Sequence, residues 1–133
     1  MTMRLTRLAV VLLSVAVCAA SAPANAQPAN LEGTWNGGGT VILPTGDRER
    51  ARCRATFKTR SATRVDMSAV CSTPSTRVAQ TGQLTRTSAN RFSGELYNPD
   101  YAMSGSIVIV VQGSRLTASV SGGGGMAQFT LTR

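Results

Sequence analysis

Arg50-Ala-Arg-Cys-Arg-Ala-Thr-Phe57 determines the predicted fold, because small or apolar residues alternate strictly with polar ones along it. One face of this stretch consists of Ala51, Cys53, Ala55 and Phe57. A period of two predicts a half-buried β-strand, since successive side chains of a strand point to opposite faces of a sheet. Residues 64–72 alternate in the same way, so the two segments are predicted to form an antiparallel hairpin.

A turn centred on Ala62 would set the register of this hairpin. The opposed inward pairs would then be Phe57 with Met67, Ala55 with Ala69, and Cys53 with Cys71. On the outer face, Lys58 would lie opposite Asp66, which is a favourable cross-strand charge pair. Directly opposed cysteines can strain a bridge, so a register that differs by a diagonal step stays open.

The chain begins with the features of an export signal. Arg4 and Arg7 precede an apolar stretch over 8–20 that is too short for a membrane-spanning helix. Ala24-Asn25-Ala26 has the small-x-small form of a cleavage site. We therefore expect a signal peptide over 1–26, a mobile leader over 27–30 and a single domain over 31–133. A lipoprotein signal ending at Cys18 is the alternative, and it is disfavoured by the bulky Val17 before that cysteine.

If the protein is exported, its two remaining cysteines are expected to form a disulfide. Removal of the signal removes Cys18 and leaves Cys53 and Cys71 in an oxidising compartment, the periplasm or the extracellular medium, where a disulfide is expected. The 133-residue sequence contains no histidine that could act as a base or co-ligand beside a free thiol. We expect the bridge to be structural.

Six further segments predict strands, and none of them has the spacing of an amphipathic helix. The predicted strands cover 31–43, 77–87, 91–97 and 103–111, followed by segments around Leu116 to Val120 and Ala127 to Leu131. Eight short strands joined by tight turns fit an up-and-down meander, and pairing of the last strand with the first would close it into an antiparallel barrel without exposed edges. Three consecutive glycines, 37–39, predict a bulge or a strong bend in the first strand. The mixture of Ala and Gly with larger inward residues allows a small cavity but favours a packed interior.

The first predicted strand carries a resemblance to a known superfamily. Gly33-Thr34-Trp35 at the start of an eight-stranded meander resembles the calycins, the superfamily of lipocalins, avidins and related barrels. In those proteins the tryptophan plugs one end of the barrel, and the resemblance implies this role for Trp35. Biotin binding is not implied, because Trp35 is the only tryptophan, and haem binding of the nitrobindin kind would need a histidine.

Two further resemblances concern function. Periplasmic inhibitors of bacterial metalloproteases are similar in size, with a Gly-x-Trp near the mature start and a disulfide in the early strands. This resemblance implies a leader, here 27–30, that inserts into a protease cleft. The whole chain is also similar to small exported alphaproteobacterial proteins of unknown function, a resemblance that implies no activity.

The formal net charge of +8 makes an anionic partner a candidate. Arg50, Arg52 and Arg54 would lie on the outer face of one strand about 7 Å apart, a spacing that suits successive phosphates, sulfates or carboxylates. A solvated face that keeps the protein soluble is the competing interpretation. Nucleic acid is disfavoured by the export signal and by the few aromatic residues available to stack on bases.

The sequence lacks the usual components of an active site. Without histidine, a Ser-His-Asp triad, a Cys-His dyad and histidine metal sites are impossible. The acidic residues are dispersed, and the close couples, Asp47 with Glu49 and Glu95 with Asp100, flank turns and are interpreted as solvated turn acids. The run Gly122–Gly125 could form an anion-binding nest, although a hairpin connection or a bent strand is the preferred interpretation.

We therefore predict an exported, monomeric, non-catalytic binding module with no cofactor, no metal and no membrane span. Its partner would be a small ligand or an anionic envelope polymer, and the alternative is inhibition of a protease through the leader.

Overall fold

The computed structural model describes residues 15–21 and 27–133. Most of the predicted signal peptide, 1–14 and 22–26, therefore lies outside the described residues. Within the described ranges, no helix combines the length and the apolar character needed to cross a membrane.

The domain is a closed, eight-stranded antiparallel barrel, which confirms the predicted fold class. Its strands are β1 (Gly33–Ile42), β2 (Arg48–Thr59), β3 (Arg64–Ser72), β4 (Arg77–Ser88), β5 (Arg91–Asn98), β6 (Met103–Gln112), β7 (Arg115–Gly122) and β8 (Gly125–Thr132). Each strand pairs with the next one along the chain, and β8 pairs with β1. Because the sheet closes on itself, it has no unpaired edge at which other chains could add.

The β2–β3 hairpin has the register that the alternation predicts. Phe57 lies opposite Met67, Ala55 opposite Ala69, and Cys53 opposite Cys71. The predicted Cys53–Cys71 disulfide is present, joining directly opposed residues rather than a diagonal pair. Lys58 also lies opposite Asp66, but the ion pair of that carboxylate is made with Arg60 from the adjoining turn.

The two halves of the barrel interior differ in packing. We call the end where β1 begins the closed end and the end where β1 finishes the open end. The fully buried large side chains belong to the closed half; they are Leu31, Trp35, Phe57, Leu84, Phe92, Ile109 and Leu116. Inward positions nearer the open end, such as Val41, Val78, Val120 and Ala127, remain half-buried. The favoured prediction of a packed interior therefore holds for the closed half only.

The glycines of β1 produce no bulge. The pairing of β1 with both β2 and β8 runs through Gly37, Gly38 and Gly39 without a register shift. A Cβ at Gly39 would overlap the carbonyl oxygen of Gln128 on β8, so only glycine permits this close approach.

The glycine run near the end of the chain is a hairpin connection, which is the preferred sequence interpretation. Gly122 ends β7, Gly125 begins β8, and the two residues between them have φ values of 59° and 80°. Positive φ at both central positions is the requirement of a tight two-residue hairpin turn, and glycine meets it without steric cost.

Candidate functional site

Trp35 lies at the closed end, where the superfamily resemblance places a plug. The side chain is fully buried, and its indole Nε1 donates a hydrogen bond of 2.8 Å to the carbonyl oxygen of Leu31. The guanidinium carbon of Arg133 lies 4.3 Å from the indole ring centroid, a cation–π distance. Arg133 Nη1 also donates to the carbonyl oxygen of Glu32 at 2.8 Å. The chain terminus thus covers the tryptophan from outside.

The leader 27–30 lies across the same end. The Ala29 amide donates to the carbonyl oxygen of Ala89 at 2.8 Å, and the Ala29 carbonyl accepts from Arg86 Nη2 at 2.8 Å. The Arg86 guanidinium in turn lies 4.5 Å from the ring centroid of Phe92. Ala29 also packs against the core, so the segment predicted to be mobile is anchored at this residue while Gln27 and Pro28 are exposed.

Glu32 is the titratable group whose environment is most clearly altered in the described part of the chain. Its carboxylate accepts a hydrogen bond from the Thr59 backbone amide, joining the start of β1 to the end of β2. This bond holds the pKa of Glu32 below its ordinary value of 4.5, with smaller contributions from Lys58 and Arg60. The interaction joins the two strands at the closed end.

The open end contains a cavity of about 250 Å³ inside the barrel mouth. Its inward walls are formed by residues of all eight strands, among them Val41, Glu49, Cys71, Val78, Gln80, Leu96, Asn98, Gly105, Val120, Ala127 and Phe129. The rim consists of Leu43, Pro44, Thr73, Thr76, Met103 and Met126 with neighbouring backbone. A cavity of this size exceeds the roughly 150 Å³ of an apolar cavity that holds benzene. The site can therefore take a ligand of one or two fused rings.

Glu49 contributes the carboxylate of this cavity. It lies opposite Val41, with the same inward parity as Ala51 and Cys53, and is half-buried. Its Oε2 accepts a hydrogen bond of 2.8 Å from Ser75 Oγ. The interpretation of Glu49 as a turn acid is corrected in one respect: the residue lies within β2 and faces the cavity, although its hydrogen bond from Ser75 is exposed. Its parity on β2 is the sequence signal for this position.

Two amides add polar groups to the apolar walls. Gln80 faces inward, opposite Ala69, although nothing in its sequence context singles it out. Asn98 is the one buried polar residue among those the structure describes. Its Oδ1 accepts from the backbone amides of Asp100 and Tyr101, at 3.0 and 3.4 Å, and so shapes the turn that follows β5. The position of Gln80 in the cavity and the role of Asn98 in the turn have no sequence signal other than inward parity on their strands.

The mouth is partly organised by its loops and has an apolar rim. Thr76 Oγ1 and the Tyr101 hydroxyl lie 3.2 Å apart, so the loop after β3 is bonded to the loop after β5. Met103 and Met126 expose 46% and 58% of their surface although both line the cavity. Flexible methionines adapt to ligands of different shape, which suits a rim that a ligand must pass.

Two other hollows are depressions on the outside of the barrel. One follows the outer surface of β4 and β5 near Gly82 and Gly94, and the other lies beneath the leader around Ala29. Neither depression is lined by residues of all eight strands, as the open-end cavity is. We therefore take the open-end cavity as the candidate ligand site.

The disulfide borders this site. Cys71 is half-buried and lines the cavity, whereas its partner Cys53 is buried behind it. The bridge thus links β2 to β3 on the side of the cavity that carries Glu49. The described residues include no group of three or more histidine, cysteine or acidic side chains placed to hold a metal ion.

The predicted arginine row forms a second, separate surface. Arg50, Arg52 and Arg54 are exposed on the outer face of β2, and Arg48 extends the predicted row by one position. Their cross-strand neighbours carry no charge: Ile42, Thr40, Gly38 and Asn36 on β1, and Ser72 and Val70 on β3. In the described part of the chain the ion pair that forms is Arg60 with Asp66, which lies outside this row.

Comparison with known proteins identifies the architecture. No protein-family model matches the chain, and no curated protein matches it. Among solved structures it is similar to a redesigned β-barrel, mFAP1, bound to DFHBI, with 20% identity and a TM-score of 0.66 over 77% of this chain and 94% of that one. A second redesigned barrel, mFAP0, also bound to DFHBI, matches with 19% identity and a TM-score of 0.67 over 77% and 98%. A de novo designed fluorescence-activating β-barrel matches with 14% identity and a TM-score of 0.61 over 77% and 93%. At these identities the similarity establishes the fold alone, a closed eight-stranded antiparallel β-barrel.

Proposed function

We propose that this protein is an exported, non-catalytic binding module that takes a small, mainly apolar ligand into the open end of its barrel. The observation that carries the proposal is the asymmetry of the interior, with a packed closed half and a cavity of about 250 Å³ at the other end. Apolar walls with a few convergent polar groups are the usual construction of a small-molecule site. Similar barrels described as bound to DFHBI support the view that this architecture leaves room for a ligand.

The proposal predicts that filling the cavity abolishes binding. Ala127 faces into the cavity, whereas its neighbour Gln128 is exposed on the outside of β8. Equilibrium dialysis with 1-naphthylmethanol, an uncharged bicyclic probe, should show saturable one-to-one binding to the wild type. The Ala127→Phe variant should lose at least tenfold in affinity, and the Gln128→Phe variant should bind within twofold of the wild type. Equal binding by both variants would place the probe outside the cavity and contradict the proposal.

Export is part of the proposal. The signal features of 1–26 support it, and so does a disulfide, which persists in oxidising compartments such as the periplasm. The mass of protein recovered from the periplasm or medium should correspond to a chain beginning at Gln27. A mass that includes the first 26 residues, or a lipid-modified chain beginning at Cys18, would overturn this part.

A second candidate function is attachment to an anionic envelope polymer through the arginine row. The favouring observation is that four exposed arginines alternate along β2 beside uncharged neighbours. Replacing Arg50, Arg52 and Arg54 by Ser should lower the salt concentration of elution from a heparin column. The matched control replaces Arg64, Arg91 and Arg115, which are exposed at strand starts around the closed end, and so removes the same charge elsewhere. Equal losses in the two triple variants would mean that only net charge is sensed.

Inhibition of a protease through the leader, the alternative function, would need residues 27–30 to detach from the barrel. Insertion into a cleft would require release of Ala29, which is anchored by two backbone hydrogen bonds and packed on the core. Deletion of 27–30 should therefore lower the melting temperature, since it uncovers the closed end of the barrel.

A further inference from the structure

Glu49 is the only charged side chain among the described residues that line the open-end cavity. It lies near the mouth, on the inner face of β2, and its surroundings include Val41, Leu43 and Val78. A carboxylate beside so much apolar surface loses part of its hydration, a loss that is unfavourable unless a partner compensates for it.

The protein compensates for this charge only in part. Ser75 Oγ is the group of the described chain that donates to the Glu49 carboxylate, and it donates to Oε2. The arginines on either side in sequence, Arg48 and Arg50, belong to the opposite, outward face of the strand. No ion pair of Glu49 occurs among the described residues, whereas Asp66 on the outside is paired with Arg60.

We infer that the cavity selects an apolar molecule that bears one cationic group, a primary ammonium or an amidinium, and that Glu49 is its anchor. A cationic donor would satisfy the remaining acceptor capacity of the carboxylate with a charge-assisted hydrogen bond, the strong class of polar contact. The apolar part of the ligand would lie against the cavity walls. This inference rests on the proposed function, which it makes specific.

The charge inside the cavity, rather than the charge of the rim, favours a cationic ligand despite the positive net charge. Three of the six acidic residues, Asp47, Glu49 and Asp100, lie at the open end, in the loops or strand ends around the mouth. The strand starts and turns of the closed end instead carry Arg60, Arg64, Arg91, Arg115 and Arg133. Exposed charges more than about 8–10 Å away are largely screened at physiological salt. Arg48 and Arg77, the first residues of β2 and β4, are also exposed at the open end, so the acids of the rim do not act alone. Inside the cavity, however, the described lining residues include Glu49 and no cation, so an anionic ligand would meet Glu49 without compensation.

The test compares two probes that differ in charge but hardly in shape. 1-Naphthylmethylamine is protonated at pH 7, and 1-naphthylmethanol is its uncharged counterpart. Wild-type protein should bind the amine about tenfold more tightly than the alcohol, the ratio expected of one hydrogen bond to a charged group. The Glu49→Gln variant should lose this preference and keep its affinity for the alcohol. The Glu95→Gln variant, which removes an equal charge from an exposed position on β5, should keep the preference.

A further variant separates ligand contact from a structural role of Glu49. Ser75→Ala removes the hydrogen bond that Glu49 accepts but leaves its carboxylate in the cavity. We expect this variant to retain the preference for the amine. If Ser75→Ala abolishes the preference as Glu49→Gln does, Glu49 acts by holding the loop and the inference is wrong. Equal binding of amine and alcohol by the wild type overturns the inference but leaves the proposed function standing. Binding of neither probe would contradict the proposed function itself.

Discussion

Trp35 and Arg133 together seal the closed end, and their contacts can be tested separately. Trp35→Phe removes the indole donor to the Leu31 carbonyl and leaves a gap in a fully packed region. The loss of a buried hydrogen bond combined with reduced packing should lower the free energy of unfolding by about 2–3 kcal/mol in urea titrations. Arg133→Ala removes the cation–π contact and the bond to the Glu32 carbonyl, and it should cost about 1 kcal/mol.

The Trp35→Phe variant also tests whether ligand binding at the open end is independent of packing at the closed end. Because Trp35 lies at the closed end and the cavity at the open end, Trp35→Phe should bind 1-naphthylmethanol within twofold of the wild type. A large loss of affinity in a folded Trp35→Phe protein would show that the two halves are coupled.

Glu32 gives the closed end a pH dependence with a defined sign. The Thr59 amide stabilises the ionised carboxylate and lowers its pKa below 4.5 in the folded protein. A depressed folded-state pKa adds stability above the unfolded pKa, and this stability is lost as the pH falls through the folded value. Wild type should therefore melt at a higher temperature than Glu32→Gln at pH 7, and the difference should shrink steadily below about pH 4.5. A difference that stays constant from neutral to strongly acidic pH would contradict this assignment.

At the level of single residues, strand parity predicted orientation better than chemistry. The alternation around Cys53 correctly assigned which side chains face inward, because one buried face forces a period of two. At Glu49 parity and chemistry disagree, because a carboxylate suggests a solvated position whereas the inward parity it shares with Ala51 places it on the cavity side. Gln80 and Asn98 were missed for the same reason, since a partly open barrel end tolerates polar residues at inward positions.

At the level of elements, the β2–β3 hairpin should depend strongly on its disulfide. The bridge closes a loop with a sequence separation of 18 residues, which corresponds to about 3 kcal/mol in the chain-entropy treatment. The double variant Cys53→Ser, Cys71→Ser should lose about this much unfolding free energy, measured by urea titration followed by tryptophan fluorescence. Wild type treated with a reductant should lose a similar amount. A stability unchanged by both treatments would show that the hairpin is held by its strand pairing alone.

Most features of the strands, but not all, could be predicted from the sequence. The hairpin register followed from the turn position and the facing cysteines, and the strand boundaries followed from glycine, proline and polar turns. Whether Gly37, Gly38 and Gly39 form a bulge could not be predicted, because a bulge and a close approach of neighbouring backbone both favour glycine. Only the unbroken register and the close approach of Gly39 to β8 distinguish them.

At the level of the whole molecule, the barrel separates its packed core from the candidate ligand site. The large fully buried side chains, the tryptophan contacts and the anchored leader lie in the closed half, whereas most residues around the cavity are half-buried or exposed. The presence of a cavity could not be predicted from composition, since alternating small and large inward residues also fill tapered barrels. Whether the interior is filled or contains a cavity depends on how the inward side chains of all eight strands pack against one another.

The most direct test of this division is methyl NMR of the wild-type protein during titration with 1-naphthylmethanol. The methyl resonances of Val41, Val78 and Val120, which line the cavity, should shift in a saturable manner. Those of Val65, Leu84 and Ile109 in the closed half should remain in place. Shifts confined to the closed half, or an absence of shifts at a probe concentration that saturates binding, would contradict a ligand site at the open end.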